Sequence, residues 1–138
     1  MNTASLHWIE RQKPALVVQA EKYLEEHKIF ERVSNDQNEQ IVSVSQLRNL
    51  LNAARTGEPL VVIQNYLRYQ IGRGKKGWKN RPSGEALVGL LDSEVGKRIE
   101  SLSEIDPVER FEVESRLAAL LLGYIIRQYT YKGLVSAR

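Results

Sequence analysis

Apolar positions recur at helical spacing along most of this chain. From Pro14 to about Arg32, Leu16, Val17, Ala20, Leu24, Ile29 and Phe30 step round one face, with Glu21, Lys22, Glu25 and Glu26 on the other, predicting a first amphipathic helix. The segment Ser34 to Gln40 has no apolar residue and reads as an exposed loop. A second helix begins near Val44. Ser43 and Gln46 have the spacing of a capping box, and Val42 and Leu47 that of its hydrophobic staple. Leu47, Leu50, Leu51 and Ala54 form the apolar stripe of this helix, opposite Arg48, Asn52 and Arg55, and Gly57 ends it. Pro59 suits the first turn of a third helix, in which Leu60, Ile63, Leu67 and Ile71 share a face. Residues 1–13 show no sustained period and are expected to form a partly ordered arm.

Gly72 to Gly84 is too rich in glycine to prolong helix three, so it reads as a connection to a fourth helix that Ser83 can cap. That helix covers about Gly84 to Leu102, with Leu87, Leu90, Leu91, Val95, Ile99 and Leu102 inward and with Gly89 and Gly96 weakening it. Asp106, Pro107 and Glu109 are strong start signals for a fifth helix. It can run to Lys132, with Gly133 as its stop, a length of about 39 Å. Within it Leu117 to Ile126 is apolar all round, so this run is either the centre of the bundle or part of a partner interface. The expected architecture is all-α: one domain over residues 1–138, a compact bundle of about five helices with a basic glycine-rich loop between the third and fourth.

Charge changes this picture locally. Between Pro59 and Gly84 lie Arg68, Arg73, Lys75, Lys76, Lys79 and Arg81 without one acid, whereas the whole chain, with 20 basic and 17 acidic residues, is only +3. The remainder is therefore acidic on balance. Such concentration marks a patch for a polyanion better than a uniformly basic composition would. Trp78 sits among these cations, where an indole could stack on a base while Arg and Lys hold phosphates, or equally pin the loop to the bundle.

The remaining chemistry is sparse. No cysteine is present, so there is no disulfide framework and no thiolate metal site, which fits a reducing cytoplasm. The N-terminal residues do not look like a secretory signal, and the longest apolar run, ten residues from Leu117 to Ile126, falls short of the roughly 20 that cross a bilayer. Gly72, Gly74 and Gly77 spell G-x-G-x-x-G, but a helix precedes them where the motif needs a strand, and WKNRP follows where it needs a helix, so the dinucleotide-binding reading fails on context. His7 and His27 repeat no metal-ligand spacing, and Glu109, Glu112 and Glu114 read as partners of a helix dipole. A binding role without catalysis, cofactor or metal is expected.

Three patches carry a family resemblance. SQLRNLLNAA from Ser45 to Ala54, LRYQIGRG from Leu67 to Gly74 and LLLGYIIRQYTYKG from Leu120 to Gly133 resemble, in this order, segments of the small subunit of type III CRISPR effector complexes, most closely the Csm kind. The resemblance implies an all-helical, non-catalytic subunit present in several copies along a ribonucleoprotein filament. It implies as partners a guide RNA and its target RNA, other subunits and copies of itself, with no small-molecule substrate and no membrane. By position, Arg48, Arg68, Arg73 and Arg127 match basic positions of the three patches. Lys75, Lys76, Lys79 and Arg81 lie outside them, in an insertion that departs from the family's shorter connection.

The expected function is thus sequence-independent contact with nucleic-acid backbone through Arg48, Arg55, Arg68, Arg73, Lys75, Lys76, Lys79, Arg81 and Arg127, with Trp78 as a stacking surface. Arg48 and Arg55 count only if the fold brings them beside Arg68 and Arg73. The competing expectation is a helical scaffold that binds protein alone through the apolar run of the fifth helix.

Overall fold

A computed structural model of the chain describes residues 1–27, 44–74, 77–102 and 105–136, with side chains to residue 133. Every element among them is helical: α1 Thr3–His27, α2 Val44–Arg55, α3 Leu60–Gly72, α4 Arg81–Leu91, a π-helical segment Asp92–Lys97, α5 Arg98–Glu100 and α6 Pro107–Ser136. The expected all-α bundle is therefore present, with α4, the π-helical segment and α5 forming one interrupted fourth helix. Expectations for Lys28 to Ser43, including the end of the first helix, the polar loop and the capping serine, lie outside the described residues.

The helix α6 is the centre. Leu117, Ala118, Leu121, Leu122 and Ile125 are fully buried, whereas Leu120, Tyr124 and Ile126 are only partly so. The apolar run is thus largely used inside the bundle. It packs mainly on α1 and α2. Two contacts fix α1 beside it: the Asn2 backbone N–H and side-chain amide both donate to Glu109, at 2.9 and 3.0 Å, and Lys132 pairs with Glu25 at 3.1 Å. Since both pairs are separated by the same number of residues, α1 and α6 run parallel in constant register.

The two helices α2 and α3 form an antiparallel hairpin. Gln70 near the end of α3 donates to the backbone carbonyl of Gln46 near the start of α2, at 3.2 Å. Glu58, in the turn between them, accepts a 2.6 Å hydrogen bond at its carbonyl from the Ser115 hydroxyl of α6. The first residue beyond Pro59, which acts as the N-cap of α3 without a capping side chain, is served by another helix: the Leu60 N–H donates to the buried carboxylate of Glu114, at 3.1 Å. A carboxylate there meets both an orphan donor and the positive end of the helix.

Several expectations are corrected. Residues 3–13 are not an arm but the first turns of α1, capped by the Asn2 side chain, which accepts from the Ser5 N–H at 2.8 Å. Pro14 lies inside this helix. The fourth helix starts earlier than expected: Asn80, and not Ser83, is its N-cap, accepting from the Ser83 N–H at 3.0 Å, with Pro82 in the first turn. Gly96 falls in the π-helical segment facing Leu60, where a Cβ would come within 3.3 Å of that side chain. Gly133 does not stop the last helix, which continues to Ser136 and spans about 45 Å.

Candidate nucleic-acid interface

The outward stripe of α3 presents flat and cationic groups together. Tyr66 and Tyr69 stack with ring centroids 6.3 Å apart and planes inclined by 23°, and the Arg73 guanidinium lies over the Tyr69 ring at 5.8 Å. Positions 66, 69 and 73 follow the i, i+3, i+7 stripe of a helix, which is why the three side chains meet. Tyr69 is 60% exposed, and Arg68 beside it is also exposed. A ring held by a neighbouring guanidinium and more than half exposed is a platform on which a nucleobase can stack.

Trp78 corrects the stacking expectation. It is 1% exposed, and its indole N–H donates to the Gln70 side-chain oxygen at 3.0 Å. That amide is itself buried and spends its nitrogen on Gln46, so one glutamine joins α2, α3 and the connection that follows. The backbone closes in around the indole. A Cβ at Gly77 would overlap the Gln70 carbonyl, and one at Gly84 would reach 2.8 Å from Ile71 and 3.3 Å from Trp78. Burying the indole satisfies the hydrophobic demand of an otherwise polar connection and leaves no ring for a base. Gly77 and Trp78 are consequently pinned against the end of α3. Gly74 has a left-handed backbone, at φ +63°, which glycine adopts without strain.

Of the cations in the expected set, Lys75 and Lys76 lie outside the described residues. Lys79 is exposed next to the buried indole. Arg81 is on the first turn of α4 and pairs with Glu85 one turn on, at 3.4 Å, so it is helical rather than in the loop. Apart from Arg11, the arginines that pair with no carboxylate among the described residues fall into two groups. Arg48, Arg68 and Arg73 belong to the α2–α3 hairpin. The Gln46–Gln70 contact puts Arg48 and Arg68 at one level of it, each two residues further in the same direction along the axis.

Arg55 and Arg127 form the second group with Arg116, lining a groove between α1, α2 and α6. The fold therefore does not bring Arg55 beside Arg68 and Arg73, because the antiparallel hairpin puts the end of α2 at the start of α3. The sequence reading missed Tyr66, Tyr69, Arg116 and Tyr124. For Tyr69 and Tyr124 the signal was the helical interval between aromatic and cation, 69 to 73 and 124 to 127.

The acids expected to serve only the helix dipole have specific roles. Besides Asn2 on Glu109 and Leu60 on Glu114, Glu112 pairs with the Met1 amine at 3.3 Å. The backbone hydrogen bond from Asn2, helped by Ser5, holds the Glu109 carboxyl below the usual carboxylate range. Burial pushes the Tyr23 phenol well up, and its O–H donates to the Ser83 carbonyl at 2.6 Å. His27 packs against the Tyr23 ring at 5.2 Å and His7 is exposed. Among the described residues no three His, Asp or Glu side chains are grouped as metal ligands would be, and no helix is long and apolar enough to cross a membrane. No family model, curated protein or solved structure matches the chain.

Proposed function

We propose that this chain is a non-catalytic small subunit of a type III CRISPR ribonucleoprotein complex, in the cytoplasm, that lies along guide and target RNA and holds their backbone without reading sequence. The observation that carries the reading is the pairing of exposed Tyr69 with Arg73 on α3, backed by half-buried Tyr66 and beside Arg68, within a segment of the sequence that has six cations and no acid. Unpaired arginines offer forked donors to phosphate, and an exposed tyrosine face accepts any base. Sequence would be read by pairing between guide and target, with the protein sensing backbone and shape. The resemblance of the Ser45–Ala54, Leu67–Gly74 and Leu120–Gly133 patches supplies the particular assembly.

The test is RNA binding by anisotropy over a salt series, with single strands of unrelated sequence. Affinity should be similar across sequences, with log affinity falling against log salt at a slope of roughly −0.7 per phosphate contacted. Arg68→Ala with Arg73→Ala should flatten the slope by about 1.4, while Tyr69→Ala should weaken binding by roughly 1–3 kcal/mol and leave the slope alone. Binding that ignores all three substitutions would overturn the α3 surface. Absence of RNA binding at low salt, with normal assembly onto protein partners, would favour the scaffold reading instead.

A further inference from the structure

We infer that the groove between α1, α2 and α6 is a second nucleic-acid site, which takes a short single-stranded segment with one base against Tyr124. The inference rests on the proposed nucleic-acid role but concerns different helices.

Two contiguous hollows form the groove. The wider, about 650 Å³, is bordered by Arg55, Arg116 and Glu112; the narrower, about 230 Å³, by Arg55, Arg116, Tyr124 and Arg127. The first falls in the size range of ordinary ligand sites, roughly 300–1,000 Å³. Leu6, Ile9, Leu120 and Gly123 give the narrow end an apolar floor. Arg127 lies over the Tyr124 ring at 5.8 Å, making a flat π surface at this end.

Charge selects the occupant. Arg55 and Arg116 have no carboxylate or ring partner among the described residues, and Arg127 has only the ring. The acids that face the groove are already engaged: Glu10 with Lys13 at 2.7 Å, and Glu112 with the Met1 amine. On α6, Arg116, Leu120, Tyr124 and Arg127 fall on one side of the helix, and about 16 Å separates the two arginines along the axis. That distance covers roughly five stacked nucleotides at 3.4 Å each, and fewer in an extended strand. An acidic peptide would use the guanidinium groups but not the ring; a duplex would keep its bases paired and out of reach of Tyr124. An unpaired strand uses both.

The experiment uses the full chain and a homopolymeric RNA containing photoreactive 4-thiouridine. Crosslinking should reach the α6 peptide that carries Tyr124, and should persist when Arg68 and Arg73 are both alanine. Tyr124→Leu should weaken binding about 5- to 150-fold at unchanged salt slope, with Tyr124→Phe restoring it, and Arg116→Ala should lower the slope by about 0.7. Far-UV circular dichroism shows that each variant is folded. If Tyr124→Leu and Arg116→Ala bind like the parent while the α3 variants lose RNA, the groove is not a site and the α3 reading stands. Equal displacement by polyglutamate overturns the preference for nucleic acid, and a chain that binds no RNA at all overturns both proposals.

Discussion

Replacing Trp78 by alanine separates an anchor from a base-stacking ring. A buried indole removes about 200–250 Å² from water, worth roughly 5–6 kcal/mol at ~25 cal/mol per Å². The site borders the end of α3, where neighbours can partly collapse, so the lower half of the usual ~3–5 kcal/mol for Trp→Ala applies, about 3–4 kcal/mol once the Gln70 hydrogen bond is included. For 138 residues the entropy of unfolding is about 290 cal/mol/K, so each kcal/mol moves Tm by about 3.4 °C and the variant should melt ~10–14 °C lower. Thermal melts followed by circular dichroism give this directly. In a Trp8→Phe background, acrylamide should quench Trp78 far less than free indole. Trp78→Phe should lose about 1 kcal/mol and keep full RNA affinity. A Trp78→Ala variant that melts within about 2 °C of the parent, a shift of under 1 kcal/mol, would refute the anchor, above all if its RNA binding fell.

Three further outcomes follow from the contacts between helices. Tyr23→Phe removes the second donor to the Ser83 carbonyl, which keeps its place in the α4 ladder, and should cost about 0.5–1.5 kcal/mol in urea unfolding. Glu114→Ala removes the acceptor at the start of α3 and the partner of Arg110, a loss of ~2 kcal/mol, whereas Glu114→Gln keeps an acceptor and should lose less. Glu109 titrates below its unfolded value near 4.3, so its contribution is present above that pH and disappears as pH falls through the depressed value; the stability gap between parent and Glu109→Gln should therefore be widest near neutrality and close on acidification.

Periodicity made most of the bundle legible because α2, α3 and α6 each bury a regular apolar stripe. The first turns of α1 escaped because Ser5 occupies a buried position and Gln12 a half-buried one, and because Pro14 imitates a start signal inside the helix. Helix α4 began early for a local reason: Asn80 offers the same cap chemistry as Ser83 and lies where Pro82 fits the first turn. The charged segment was visible at once. Which side of it faces water was not, since burial of Trp78 depends on Gln70 and Gly84, brought together only by packing. The division of arginines between the hairpin and the groove likewise needs the antiparallel turn at Glu58, which no spacing within one helix reveals.

The constant register of α1 and α6 bears on how the molecule assembles. Their contacts join residues 107 apart in sequence, as in the Asn2–Glu109 pair, whereas α3 packs mainly on α4 and α2, its neighbours along the chain. Closing so long a loop costs roughly 4 kcal/mol of chain entropy before any contact is gained. The hairpin and its pinned connection can therefore form early, and the α1–α6 seam should close last. The groove shares that seam, so a strand lodged there would act as a clasp on the final step of folding, adding its binding free energy to the stability of the closed bundle.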